Sequence, residues 1–581
     1  MRAFLLAVTL AMAAPAQADP VAAPPPSSDN LLGLWMAKQR LGPDIRGELV
    51  ILSDASGWRA TLAGRTADVQ RTGDLLTFSL GDDGDFRGHL TKKGITGHWR
   101  QVAGYLSGTR YATPVTLTGS KGVWRGDVQP LDDTGTLYLN VTKNADGTLD
   151  TFLRNPESNA GRFANIDHIK IDGDKVSLLG HPHGAKDEKV VGEGTYHSDE
   201  DGFTLHIPAF GSTFDFRRDG AHSGFYPRDA KTIPYVYHAP IETDDGWPVG
   251  TLRTAGLSEK GIGDFMQMLI DMPMDSIHAQ DVHAVLIARH GKLVLEEYLH
   301  GFSASQRHDT RSASKSMLSV LIGAEVQAGA KVDVDAPVYK VMNDGAFPPG
   351  LAPRKQAMRL EDLLTMSSGF YCDDNDDKAP GNEDTMQDQR TQPDWYRYTL
   401  DLPMAMAPGT QSIYCSANPN LAGGVLAKMT GEPLEEAFDR LIAKPLQFGP
   451  YALNLQPTGQ PYMGGGAYVR PRDFMKLGQL MLDDGIWHGK RIVGHDWVVK
   501  STAPLRDLRG LKYGYFWWGM DFPYKGGTVH GFFAAGNGGQ VVMVVPKLDL
   551  VVAFFGGNYG DKALYVPQQV YTPKYVLPAI E

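Results

Sequence analysis

Cysteine is almost missing from this 581-residue chain, which holds only Cys372 and Cys415. A disulfide-dense scaffold is therefore excluded, and one bridge is the most the chain can form. Basic charge is also short: 56 Lys and Arg stand against 67 Asp and Glu, a formal net charge of −11. That balance argues against a nucleic-acid partner or an anionic membrane surface. Beyond the first residues no apolar run reaches the roughly 18 residues of a membrane span, so no stable membrane anchor is expected. Helical periodicity is lacking between residues 31 and 220, which excludes a helical first part.

What is present begins with Arg2, the apolar run Ala3 to Ala14 and the small-x-small site Ala16-Gln17-Ala18, a signal-peptide pattern over 1–18. The protein is accordingly expected to be exported, periplasmic or secreted. In that compartment a cysteine pair reads as a disulfide between Cys372 and Cys415; the other reading is two buried thiols. Residues 19–30, with Pro24-Pro25-Pro26, have linker composition.

Residues 31–224 alternate in short stretches such as Thr136-Leu137-Tyr138-Leu139-Asn140-Val141, broken by Asp83-Gly84, Asp146-Gly147, Asp172-Gly173 and Asp201-Gly202. Those dipeptides suit hairpin turns, because Gly accepts the positive φ they require. The pattern predicts an all-β barrel or sandwich. Gly33-Leu34-Trp35 and Gly122-Val123-Trp124 open two similar stretches, so two halves are expected, 31–118 and 119–224. A structural or accessory role is the preferred reading of this module, whose ligand is unknown. His181-Pro182-His183 has no third ligand nearby in sequence and reads as a loop rather than a metal site. The Pro-rich stretch 225–245 is the expected linker into a second domain over 246–581, and a chain starting near residue 240 is expected to fold alone.

That second domain carries the candidate chemistry. Ser312 lies three residues before Lys315 and just ahead of the apolar run Met317 to Val326, which reads as a buried helix. A serine at such a helix start shares a face with the lysine, and a neutral amine there can activate the hydroxyl as a nucleophile. Tyr414-Cys415-Ser416 precedes another predicted helix, and a phenol at that boundary can pass a proton. Ala534-Ala535-Gly536-Asn537-Gly538-Gly539 runs into a strand, where backbone N–H groups can meet a developing negative charge. Each pattern also has a plain structural reading: a capping serine, a packing tyrosine, a tight strand entry. The run Asp373 to Lys378 reads as a solvated loop in preference to a calcium site.

In this order and spacing, Ser312-Ala313-Ser314-Lys315, Tyr414-Cys415-Ser416 and Ala534-Ala535-Gly536 resemble the three motifs of the serine β-lactamase and penicillin-binding-protein family. The likeness is strongest to its class C β-lactamase-like esterases and 6-aminohexanoate-dimer hydrolases. Leu363 to Gly369 and Gly464-Gly465-Gly466 support it. The resemblance implies an α/β (α+β) domain, with an antiparallel sheet and a helical lobe. It also implies that Ser312 is acylated, that Lys315 and Tyr414 move protons, and that the N–H groups of Ser312 and Asn537 form an oxyanion hole. Ser416, Gly536 and Gly538 would face the substrate. No cofactor and no metal are implied.

Two departures bear on specificity. Ser416 stands where the lactamases have Asn, and Ala534-Ala535 stand where they have a cation and a hydroxyl that grip a carboxylate. An ester or linear amide is thus the expected small-molecule substrate. The rivals are a β-lactamase or DD-peptidase using another cation, such as Lys525 or His530, and a catalytically silent binding protein.

Overall fold

The computed structural model of the chain describes residues 26–104, 108–182, 185–228, 234–389 and 391–581. The stretch 1–18 expected to be a signal peptide, most of the expected linker 19–30 and His183 of His181-Pro182-His183 lie outside the described residues.

The early alternating stretches form strands because every second side chain can reach an apolar core. In Gly47–Asp54, for instance, Leu49 and Ile51 are buried while their neighbours face outward. The strands make two antiparallel sheets. One closes on itself: Gly33–Arg40 pairs with both Ser212–Arg218 and Thr134–Lys143, completing a barrel through the strands between them. The other runs from Gly47–Asp54 to Val123–Val128, and its end strands, Arg65–Asp68 and Gln70–Thr72, are separated by Val69 alone. Closure or near-closure leaves few unpaired edges.

The expected halves 31–118 and 119–224 are not the units. Gly33–Arg40 belongs to the barrel made mostly of later residues, with Trp35 opposite Leu139. Val123–Val128 belongs to the earlier sheet, with Trp124 opposite Ile51. The earlier sheet is therefore inserted after the first strand of the later barrel. The two Gly-x-Trp openings are also unlike in packing. Trp35 is fully buried in the later barrel's core, whereas Trp124 is half-buried and stacks on Trp58. Strand signals are local, but strand partners are not.

The second domain is built on an eight-stranded antiparallel sheet ordered Lys292–Tyr298, Val282–Arg289, Leu550–Gly556, Gln540–Val545, Gly527–Gly536, Trp518–Tyr524, Leu511–Tyr513, Arg506–Leu508. Its central strands are apolar throughout because both faces are covered. Along Val282–Arg289, Ala284, Leu286 and Ala288 join one core, while Val285 and Ile287 join the other. The first core is filled by the helical lobe, including Lys315–Gln327, Ala417–Thr430 and Pro471–Leu482. The second is covered by Glu259–Ile270 and the C-terminal helix Pro567–Val576.

The stretch 225–245 is not a free linker. Phe225 is buried, Tyr235 donates to Glu297 (2.7 Å), Tyr237 donates to the Val294 carbonyl (2.8 Å), and Asp245 pairs with Arg472 (2.7 Å). The β module itself is joined to the second domain. The short strand Leu453–Leu455 pairs antiparallel with Arg110–Ser120, with Leu453 opposite Ala112. His98 meets the Tyr451 hydroxyl at 3.2 Å, and Arg87 pairs with Glu436 at 2.9 Å. Between the two parts lies a cavity of about 800 Å³ lined by Tyr111, Glu157, Arg307, Asp309, Arg311 and Tyr468, among others.

Candidate active site

The short strand His308–Asp309 runs into a helical turn, Arg311–Ser314, and then into the helix Lys315–Gln327. Arg311 has φ +45°, a conformation that costs a non-glycine residue roughly 1–2 kcal/mol. Its surroundings hold it there. Asp309 Oδ1 accepts from the Arg311 N–H at 2.8 Å, and Asp309 Oδ2 lies 2.8 Å from the Arg311 guanidinium. The Thr310 hydroxyl donates to the Ala467 carbonyl at 2.7 Å. The outcome is a half-buried Ser312 presented at the head of a helix whose residues from Lys315 to Glu325 are all buried.

Lys315 Nζ lies 2.8 Å from Ser312 Oγ, as the three-residue helical spacing predicts. The ammonium also donates to the Gly464 carbonyl and sits 5.0 Å from the centre of the Tyr414 ring. Only 2% of Lys315 is exposed. Tyr414 stacks on Trp518 with the rings 5.8 Å apart, and the guanidinium of Arg509 lies 4.4 Å from its centre. Hydroxyl, amine and phenol-bearing ring are thus gathered from two segments a hundred residues apart in the chain.

The loop after Gly369 braces the tyrosine. Cys372 and Cys415 are joined by a disulfide, with Cα atoms 5.6 Å apart. Asp374 N–H donates to the Tyr414 carbonyl at 3.0 Å. The Asp374 carboxylate accepts from the N–H (2.8 Å) and hydroxyl (2.7 Å) of Ser416, and from the Glu383 N–H (3.1 Å). Ser416 was expected to face the substrate. It is fully buried, and both of its donors are taken by Asp374.

The third segment is the end of Gly527–Gly536 and the turn that follows. Gly536 and Gly538, also expected at the substrate, instead pack against protein. A Cβ on Gly536 would come within 2.3 Å of the Thr310 carbonyl and 2.9 Å of the Ala313 nitrogen. A Cβ on Gly538 would meet Gln540 at 2.4 Å and Tyr559 at 2.7 Å. The glycines therefore let this turn press on the one that carries Ser312. Asn537 follows Gly536, and its side-chain oxygen accepts from the Gly560 N–H at 2.7 Å, so that side chain holds the turn in place. Lys525 occupies the exposed far hairpin, and His530 is exposed and paired with Asp521 at 2.8 Å. Neither is a cation of this site.

Sequence reasoning missed Asp374, Arg509, Trp518 and the Gly464 carbonyl. Asp374 sits in an acidic run, and its one signal was the neighbouring Cys372. Arg509 arrives on the turn between Arg506–Leu508 and Leu511–Tyr513, and Trp518 on the strand Trp518–Tyr524; neither carries a local pattern.

Burial, with Glu383 adding to it, pushes the Asp374 carboxyl up to about 6, although Lys315 and the Ser416 hydrogen bonds oppose the shift. The folded chain therefore holds this proton more tightly than the unfolded one, and folding stability falls as pH rises from about 4 to 6. Activity should run the other way. The carboxylate that clasps Ser416 exists above pH 6, so kcat should fall as pH drops through about 6. Asp374→Asn, which cannot titrate, should flatten that limb. An unchanged limb in this variant's kcat–pH profile would assign the titration to another group.

Residues 275–558 match the family model described as Beta-lactamase. The chain is 27% identical over 231 residues to the 6-aminohexanoate-dimer hydrolase of Paenarthrobacter ureafaciens, covering 38% of this chain and 57% of that protein. It thus spans little more than half the length of that curated relative. Among solved structures it is similar to a putative 6-aminohexanoate-dimer hydrolase from Bacillus anthracis, at 18% identity and TM-score 0.41, covering 50% of this chain and 78% of the other. It is also similar to a penicillin-binding protein homologue from Caulobacter crescentus, at 15% identity and TM-score 0.39, covering 48% and 89%.

Proposed function

We propose that the protein is an exported serine hydrolase that opens an ester or amide bond through an acyl-enzyme on Ser312, a reading supported by the match of residues 275–558 to the Beta-lactamase family model. The observation that carries the reading is Lys315 Nζ at 2.8 Å from Ser312 Oγ and 5.0 Å from the centre of the Tyr414 ring. In its neutral form Lys315 takes the hydroxyl proton as Ser312 Oγ attacks the carbonyl carbon. The oxyanion is met by the N–H groups of Ser312 and Asn537. Tyr414, beside Lys315, passes a proton to the leaving group as its bond to the carbonyl carbon breaks. Water then attacks the carbonyl carbon of the Ser312 ester, giving a proton to the same relay; the bond from that carbon to Ser312 Oγ breaks, Oγ takes a proton back from the relay, and the acid is released. A binding protein would need none of these three groups.

Ala534 and Ala535 offer neither charge nor hydroxyl where a carboxylate would be gripped, which supports esters and linear amides as substrates. The curated relative's name, for hydrolysis of a 6-aminohexanoate dimer, agrees with a substrate that is not a β-lactam. The direct test is mass spectrometry after a fluorophosphonate: the adduct should sit on the Ser312 peptide.

One observation favours a second reading. Arg509 is exposed, and its guanidinium lies over Tyr414, where it could receive a substrate carboxylate. A charge-assisted hydrogen bond of that kind contributes roughly 1.5–3 kcal/mol. If the substrate is neutral, Arg509→Ala should change kcat/KM on p-nitrophenyl acetate by less than about fivefold, and nitrocefin should not be turned over. Nitrocefin turnover that falls by about tenfold or more in Arg509→Ala would establish the carboxylate-binding reading instead.

A further inference from the structure

Arg154 comes from the β module yet ends inside the second domain. It is 4% exposed, its Nε lies 3.3 Å from Asp281 Oδ2, and its Nη2 donates to the Ala279 carbonyl at 2.8 Å. Asp281 is 2% exposed and stands at the entry to the strand Val282–Arg289. Its other carboxylate oxygen lies 3.1 Å from His283 Nε2 and 3.3 Å from His300 Nε2. Burial alone would push this carboxyl up; Arg154, His283 and His300 overcome that and hold it well below the usual range. The same burial pushes His300 down to about 4, so Arg154 is the permanent cation here.

Two chains of contacts leave Asp281, and each ends at one arm of the proposed oxyanion hole. Along the first, the Asp281 backbone exchanges hydrogen bonds with the Asn558 side chain at 2.8 and 3.0 Å. The Asn558 N–H donates to the Gly538 carbonyl at 3.1 Å, beside Asn537. The β module touches this arm a second time, where the Asn159 side chain donates to the Tyr559 carbonyl at 3.0 Å. The next residue, Gly560, donates to Asn537. Along the second, His283 Nδ1 lies 2.8 Å from His308 Nε2, and His308 Nδ1 lies 3.1 Å from the Asp309 carbonyl. Asp309 is the residue that bends Arg311 and presents Ser312.

We propose that Arg154 is a positioning residue for the hydrolase site, fixing through Asp281 the spacing between the Ser312 and Asn537 N–H groups. The β module is then a working part of the active site rather than an accessory. The inference rests on the acyl-enzyme reading above. A misplacement of about 1 Å in such a site costs on the order of 100-fold in rate, and the loss should appear in kcat, because Arg154 meets no substrate.

The test uses the full chain. In Arg154→Met, kcat on p-nitrophenyl acetate should fall about 10- to 100-fold with KM within about threefold of wild type, and Arg154→Lys should recover much of the loss. Asn159→Gly guards against an unfolded Arg154 variant. Asn159 has φ +53°, which Gly accepts, so the change removes only the amide's bond to Tyr559. Its kcat should fall about 3- to 10-fold. Fluorophosphonate labelling separates this idea from the one it rests on: both variants should still label Ser312, but more slowly. No label on Ser312 in the wild type would end the acyl-enzyme reading itself. Wild-type kcat in a folded Arg154→Met or in Asn159→Gly, or a loss confined to KM, would overturn the positioning role.

Discussion

Ser312→Ala should hydrolyse no ester above the uncatalysed rate and take up no fluorophosphonate. Among the described residues no other hydroxyl makes a hydrogen bond with the Lys315 amine, which bonds Ser312 Oγ and the Gly464 carbonyl and lies by the Tyr414 ring. Lys315→Ala should cost nearly as much, because nucleophile and base act as one unit and their losses do not add. A drop in kcat of about 10⁴-fold or more is expected for either variant, while thermal stability stays at or above that of wild type for Ser312→Ala. The serine is half-buried, and its removal leaves Lys315 with the Gly464 carbonyl as acceptor. Full activity in Ser312→Ala, or an adduct on another peptide, would move the chemistry elsewhere in the molecule.

A chain beginning at residue 240 should fail to fold into a soluble, active domain, contrary to the expectation from the Pro-rich stretch. Truncation there removes Arg154 and leaves the Asp281 carboxylate buried without its permanent cation. Breaking a buried pair from one side costs roughly 3–5 kcal/mol, against a total of about 5–15 kcal/mol for a typical fold. It also uncovers Tyr451, Ala452 and Leu453, strips the strand Leu453–Leu455 of its partner, and deletes Tyr235 and Tyr237 from the sheet's edge. Size-exclusion chromatography with circular dichroism decides the matter: a monomeric, cooperatively melting fragment with wild-type kcat would show the module to be dispensable. Such a result would also bear on the role assigned to Arg154.

Both expectations show where local pattern carries information and where it stops. The Ser312–Lys315 contact follows from helical geometry alone, since residues three apart share a face. The helices from Pro471 to Leu482 and around Asn418 to Met429 were legible from periodicity and from their Pro and Gly boundaries. The same holds for the central strands Gln540–Val545 and Leu550–Gly556, whose unbroken apolar runs need cover on both faces. The cysteine pair could be read as a bridge because two cysteines, in a chain expected from its sequence to be exported, have one pairing available.

What the tertiary structure alone decided is every relation between segments that lack a shared period. Which barrel takes Gly33–Arg40 depends on strand pairing across a hundred residues. That Ser416 turns inward depends on Asp374, brought to it across the Cys372–Cys415 bridge. That Gly536 and Gly538 serve packing depends on the neighbours pressed against them. Arg154 gave no sign in the sequence, because a buried cation is defined by the carboxylate it meets, and Asp281 lies 127 residues away. Periodicity reports the face a residue turns to its own element; the partner on the other side is set by the packing of the whole chain.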